Sequence, residues 1–148
     1  MEPLEYVSIN EKQSIDQLKD FLRIPSVSAR SEYKQDMTRC AEFLYNYLNS
    51  IGIKTTIEQT KGFPVVFGEY ECDPQKPTVL IYGHYDVQPP DPLNLWKSSP
   101  FNPIIENGYI IARGAVDNKG QIFAHIKALE AYLKTGNKLP VNIKILIE

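Results

Sequence analysis

The chain has 148 residues, 43% of them hydrophobic and 23% charged, with a formal net charge of −2 at pH 7. That balance excludes a disordered chain and a basic nucleic-acid-binding one, and the length suits one domain with a real core. No run of about 18 apolar residues is available to span a membrane. Met1–Asn10 does not read as a secretory signal, and two cysteines, Cys40 and Cys72, make no disulfide framework and point to a reducing cytoplasm.

Ile15, Leu18, Phe21 and Leu22 recur at helical spacing and predict a helix from Glu11 to Leu22, capped by Asn10 or Ser14. Pro25 ends it, and Ser26–Ser31 is a polar loop. A second helix is predicted over Lys34–Ser50, with Met37, Cys40, Ala41, Leu44, Tyr47, Leu48 and Ile51 on one face and Gly52 closing it. The period then falls to two. Ile53, Thr55 and Ile57 alternate with polar residues as in a half-buried strand. Phe63–Tyr70 and Thr78–Tyr82 are further strands, and the second is apolar enough to be buried on both faces of a sheet. Proline-rich loops at Pro89–Pro92 and Lys97–Pro103 flank Trp96, which is read, with Phe101, as loop packing. Ile104–Ala112 is a hairpin turning on Asn107-Gly108. A third helix runs from Asn118 to Lys134, ended by Gly136 and Pro140, before an apolar strand at Val141–Ile147. The order predicts an α/β fold with flanking helices and a largely parallel or mixed central sheet. Because the last apolar strand is followed only by Glu148, residues 1–148 are expected to be part of a longer protein.

Two motifs carry chemistry. Gly83-His84-Tyr85-Asp86-Val87 follows an apolar strand, so in extended backbone His84 and Asp86 share a face at a strand's carboxyl end. A carboxylate beside a histidine takes one ring N–H and leaves the other nitrogen free for a metal; a satisfied loop histidine is the alternative. Arg113-Gly114-Ala115-Val116-Asp117-Asn118-Lys119-Gly120 precedes the third helix. Asp117 suits a helix cap, but a cap does not call for Arg-Gly before it and Lys-Gly after it, and a carboxylate in such a loop can bridge two cations. His125 is expected to be a partly exposed helix residue, Cys40 a core residue and Cys72 an exposed turn residue.

In this order, His84-Tyr85-Asp86-Val87-Gln88-Pro89, Trp96, Pro100-Phe101-Asn102-Pro103, Gly108 and Ala112–Gly120 resemble the amino-terminal part of the catalytic domain of M20-family metallopeptidases, closest to the dipeptidase branch. Ala112 stands where many relatives carry glycine, and Asn118 where aspartate is frequent. The resemblance implies a zinc-exopeptidase-like fold and a hydrolase of dipeptides or N-acyl amino acids. It implies two divalent ions, zinc or else manganese or cobalt, with His84 a ligand of one, Asp117 bridging both and Asp86 orienting His84. It also implies a cis Asp117–Asn118 peptide. The family's general base is a glutamate of a Glu-Glu pair just beyond the strand matching Val141–Ile147. Glu148 matches the glutamate before that pair and is given no catalytic role. Further ligands and a lid domain, often a homodimer interface, lie further downstream in the family. Residues 1–148 alone are therefore expected to be inactive. The competing reading is a stand-alone, non-catalytic module that binds a metal or a peptide.

Overall fold

The computed structural model describes residues 1–148. Four helices, α1 (Pro3–Ile9), α2 (Glu11–Leu22), α3 (Lys34–Ser50) and α4 (Lys119–Lys134), accompany six strands. The strands are β1 (Lys54–Glu58), β2 (Val65–Tyr70), β3 (Thr78–Gly83), β4 (Ile104–Glu106), β5 (Tyr109–Ile111) and β6 (Asn142–Ile147). The main sheet has the order β1-β2-β6-β3, and β4 and β5 form a separate hairpin. β1 with β2 and β2 with β6 run antiparallel, and only β3 and β6 run parallel, so the sheet is mixed. The parallel pair is joined through α4, as a parallel ladder requires a crossover.

Alternation along β6 explains the layering. Ile143, Ile145 and Ile147 are buried while Lys144 between them is exposed, so one face of the sheet is covered and the other is open. The covering residues are Phe21 of α2, Met37, Cys40, Ala41, Leu44 and Leu48 of α3, and Ile122, Phe123, Ile126 and Leu129 of α4, which form one core with the strand residues. At about 25 cal/mol per Å² of apolar surface removed from water, each fully buried Leu or Ile side chain contributes roughly 1.5–3 kcal/mol.

Several expectations need correction. β3 is not buried on both faces. It is an edge strand, and Val79, Leu80 and Tyr82 are 45%, 59% and 60% exposed. Apolar composition marks a strand that can be covered, and neighbours decide whether it is. An unexpected helix, α1, begins with proline at its first turn, where a missing N–H costs nothing. It has no buried residue of its own, and its Tyr6 hydroxyl donates to Glu130 of α4 (2.9 Å). Asn10 does sit at the N-cap position of α2, but its side chain donates to Tyr6 O (2.8 Å), so neither Asn10 nor Ser14 caps the helix. Cys72 is half-buried, its thiol facing Asn142 Oδ1 (3.3 Å). Asn142 is itself buried, accepts from the backbone N–H of Cys72 and Asp73, and donates to the carbonyls of Asp73 and Lys76. The 72–76 turn thus folds around one amide. Cys40 is fully buried and His125 is exposed. The hairpin turns on Asn107 and Gly108, both with positive φ. Trp96 donates its indole N–H to Pro90 O (2.9 Å) and carries the Arg113 guanidinium 5.3 Å from its ring.

Candidate metal centre

The parallel pair and its crossover helix bring the two motifs together. β3 ends at Gly83, and α4 begins beside it. A Cβ at position 83 would lie 2.1 Å from Ile122 Cγ2 and 2.7 Å from Asn118 Oδ1, so only glycine lets the first turn of α4 lie against the strand end. Position 120 is equally restricted, because a Cβ there would meet Ala115 O at 2.0 Å. Asn118 occupies the N-cap position of α4 without capping it. Its Oδ1 instead accepts the backbone N–H of His84 (3.2 Å), tying the two loops directly. Asp117 lies one residue before that N-cap position, which excludes the capping reading for it. The Asp117–Asn118 peptide is cis.

Beyond β3 the backbone stays extended. Tyr85 N donates to Glu148 O (2.8 Å), and Glu148 N donates to Gly83 O (3.1 Å). Tyr85 is fully buried and donates its hydroxyl to Pro64 O (2.7 Å). His84 and Asp86 point to the opposite side and line a cavity of about 700 Å³ with Ser28, Met37, Tyr82 and Glu148. His84 Nδ1 lies 2.8 Å from Asp86 Oδ1 and 3.2 Å from Asp86 O. Both neighbours are acceptors, so Nδ1 carries a proton and donates. Nε2 is 3.0 Å from Asp117 Oδ1. Burial of the ring opposes its charge, but the hydrogen bond and charge of Asp86 and the charge of Asp117 outweigh it, and the imidazole pKa is raised.

The donor set suits a divalent ion. Nε2 likewise faces an acceptor, Asp117 Oδ1, and with Nδ1 held by Asp86 it is the nitrogen that can give up its proton and offer a lone pair to an ion. Two ligands of one tetrahedral zinc, at about 2.0–2.1 Å from the ion, are about 3.3 Å apart, and the observed 3.0 Å is within a few tenths of that. Asp117 is 73% exposed at its side chain, so its carboxylate is open to more than one partner. No group of three or more His, Cys, Asp or Glu side chains is arranged together to hold a metal ion. Residues 1–148 therefore bring two candidate ligands, His84 and Asp117, to this point and not a complete set.

Two residues around the site were outside the sequence reading. Ser28 donates its hydroxyl to Asp86 Oδ2. Nothing in its polar loop announced this, because the contact joins positions 58 residues apart. Lys119 is fully buried, and its ammonium donates to Phe21 O (3.0 Å) and Ile24 O (2.7 Å), satisfying carbonyls at the end of α2. Burial holds its pKa below the ordinary lysine value, against the opposing pull of the Cys40 thiol. The Lys-Gly after Asp117, which capping alone did not explain, was the visible signal.

Residues 80–148 match the model of peptidase family M20/M25/M40. The chain is similar to this family over that span. It is 33% identical over 155 residues to a Cys-Gly metallodipeptidase of Schizosaccharomyces pombe, an alignment covering 97% of this chain and 33% of the relative. Its fold superposes on human carnosine dipeptidase 1 with a TM-score of 0.91 and 31% identity, over 99% of this chain and 33% of that one. An M20 family metallo-carboxypeptidase of Sulfolobus solfataricus gives 0.83 and 42% identity, over 91% of this chain and 30% of that one. The chain thus spans about a third of the length of the relatives it matches. The M20-like α/β fold expected from the motifs is the one observed. No helix is long and apolar enough to cross a membrane.

Proposed function

We propose that this chain is part of a metal-dependent hydrolase that cleaves dipeptides or N-acyl amino acids. In this reading residues 1–148 are the amino-terminal part of its catalytic domain. His84 is a ligand of one divalent ion through Nε2, Asp117 bridges two ions, and Asp86 is the catalytic-site carboxylate that orients His84. The observation that carries the reading is the continuous line Asp86 Oδ1–His84 Nδ1 (2.8 Å) and His84 Nε2–Asp117 Oδ1 (3.0 Å) at the carboxyl edge of a parallel strand pair. The likeness to metallodipeptidases supports it. A mixed nitrogen and oxygen ligand set suits zinc, manganese or cobalt.

When bound, the metal pair supplies an activated water and a Lewis acid for the scissile carbonyl. The work of this chain is to prepare that site. Asp86 holds the Nδ1 proton and so keeps the Nε2 lone pair available. Asn118 fixes the backbone at His84, and Lys119 pins the loop that carries Asp117 to the end of α2. The cavity beside His84, lined in part by Met37 and Phe63, offers room for a small substrate. We place the general base, the remaining ligands, the lid and any homodimer interface in the part of the relatives that this chain does not span. By itself the 148-residue chain then hydrolyses nothing, because a catalytic zinc normally takes three protein ligands and a water.

The test is a dipeptide and N-acyl amino acid panel, assayed on the 148-residue chain and on a longer protein containing it, with zinc, manganese or cobalt and with a chelator. Chelator-sensitive hydrolysis by the longer protein alone is the expected result. Sustained hydrolysis by residues 1–148, or chelator-resistant hydrolysis by the longer protein, overturns the reading.

A further inference from the structure

The loop between α2 and α3 follows the ligand-bearing segment residue by residue. Val87 N donates to Ser26 O (2.8 Å), and the buried Ser26 hydroxyl donates to Tyr85 O (2.6 Å). Ser28 donates to Asp86 Oδ2, and Arg30 pairs with Asp91. Three of these four contacts join the loop to backbone or to an exposed ion pair and would serve to fasten any loop. The Ser28 contact differs because it ends on the carboxylate that touches His84.

A carboxylate with two free oxygens can rotate and offer either one. Here the Ser28 hydroxyl occupies Oδ2 and leaves Oδ1 to accept the His84 Nδ1 proton at 2.8 Å. We propose that Ser28 is a positioning residue, acting through Asp86 to fix the tautomer and orientation of His84. The inference rests on the reading of His84 as a metal ligand for its functional consequence, and for the tautomer on geometry: Nδ1 faces two Asp86 oxygens at 2.8 and 3.2 Å, whereas Nε2 faces one oxygen of the exposed Asp117 at 3.0 Å. The relay is Ser28 Oγ–H to Asp86 Oδ2, then His84 Nδ1–H to Asp86 Oδ1, with Nε2 left as the ligating atom. Ser28 is half-buried, so replacing it by alanine removes one hydroxyl without opening the core. Outer partners of a metal-bound histidine typically govern affinity by about 10–100-fold. Ser28 is one step further out, and an effect near the lower end, about 10-fold, is expected.

The experiment compares wild type, Ser28→Ala, Ser28→Thr, Ser26→Ala and His84→Ala in the 148-residue chain. Nitrogen-15 NMR reads the His84 tautomer in the metal-free protein at a pH where the ring is neutral, with the exposed His125 as internal reference. Zinc affinity is measured by competition with a chromophoric chelator. In Ser28→Ala the Nδ1–H tautomer of His84 gives way to a mixture and zinc binds about 10-fold more weakly. Ser28→Thr keeps the hydroxyl and restores both. Ser26→Ala loosens the same loop and lowers the melting temperature but leaves the tautomer unchanged, which a merely structural role for the loop would not produce. If wild type binds zinc and Ser28→Ala changes neither tautomer nor affinity, the positioning role is overturned while the ligand reading stands. If Ser28→Ala leaves the tautomer unchanged, the positioning role falls whether or not the chain binds zinc; if it shifts the tautomer while His84→Ala binds zinc as tightly as wild type, the ligand reading falls and the positioning role stands.

Discussion

Glu130 in the helix layer and Asp117 at the sheet edge are both carboxylates held close to a titratable partner, and they are finished in opposite ways. Glu130 is 5% exposed. Its Oε1 accepts from the Tyr6 hydroxyl (2.9 Å), and its Oε2 accepts from the Tyr47 hydroxyl (2.7 Å) and the Lys127 ammonium (2.6 Å). Lys127 in turn donates to Gln17 Oε1 (3.0 Å). This network joins α1, α2, α3 and α4, and its Glu130 oxygens have protein partners throughout. Asp117 has His84 alone and faces solvent. A buried polar group must be satisfied from within, since leaving it bare costs about 1–3 kcal/mol or more. An exposed one can stay open for something that arrives later. Saturation therefore separates a polar cluster that holds helices together from one left open to solvent.

The largest effect expected is at the open cluster. In the metal-loaded, hydrolytically competent protein, His84→Ala and Asp117→Ala each abolish hydrolysis and lower metal content. Asp117→Ala changes the unfolding free energy by no more than about 0.5 kcal/mol, as for other exposed positions. Metal analysis, turnover and urea unfolding on the same samples check this. Normal turnover in Asp117→Ala would collapse the contrast.

Glu130→Ala is expected to do the reverse. It leaves the Lys127 ammonium without its carboxylate in a partly buried setting, and breaking such a pair costs about 3–5 kcal/mol when burial is complete. A loss of up to that size should be seen in urea unfolding, with zinc affinity unchanged. A zinc-binding defect in folded Glu130→Ala would show that the two clusters are coupled.

Asp86→Asn should weaken metal binding or activity by about 10–100-fold without eliminating it. The amide can still accept a hydrogen bond from His84, but it carries no charge. Complete loss of metal in this variant, alongside retention in His84→Ala, would reverse the roles given to the two residues.

The smallest effect is in pH dependence. Burial alone would raise the Glu130 pKa, but the hydrogen bonds from Lys127, Tyr47 and Tyr6 bring it below the ordinary value of 4.5. A depressed folded-state pKa contributes stability that is fully present above the unfolded value and is lost as pH falls through the folded one. The melting temperature should therefore drop as the solution is acidified below about pH 4.3, and Glu130→Gln should flatten that part of the curve. An identical acid limb in the variant would show that other carboxylates govern it.

The two clusters also differ in how far they could be read in advance. His84, Asp86 and Asp117 stood out because local rules apply to them: a strand end, residues two apart on one face, and a glycine-flanked carboxylate before a helix. Helices α2, α3 and α4 were legible for the same reason, since their apolar spacing is a property of neighbouring residues. Glu130 and Lys127 drew no notice, because charges on a helix look alike in sequence whether they meet solvent or another helix.

By itself, then, the sequence determined the order of the elements from α2 onward, the α/β class, the residues of the core faces and the two motifs proposed as a metal site. These follow from periodicity, turn residues and short spacings. Tertiary structure alone decided that β3 is an edge strand open to solvent, that the sheet is mixed with one parallel pair, and that Cys72 is half-buried against Asn142. It alone brought His84 Nε2 within 3.0 Å of Asp117 across 33 residues and placed Ser28 on Asp86 across 58. The physical reason is one of range. Backbone preference and amphipathic period act over a few residues, whereas burial and the hydrogen bonding of a carboxylate depend on which distant segments the core packs beside it.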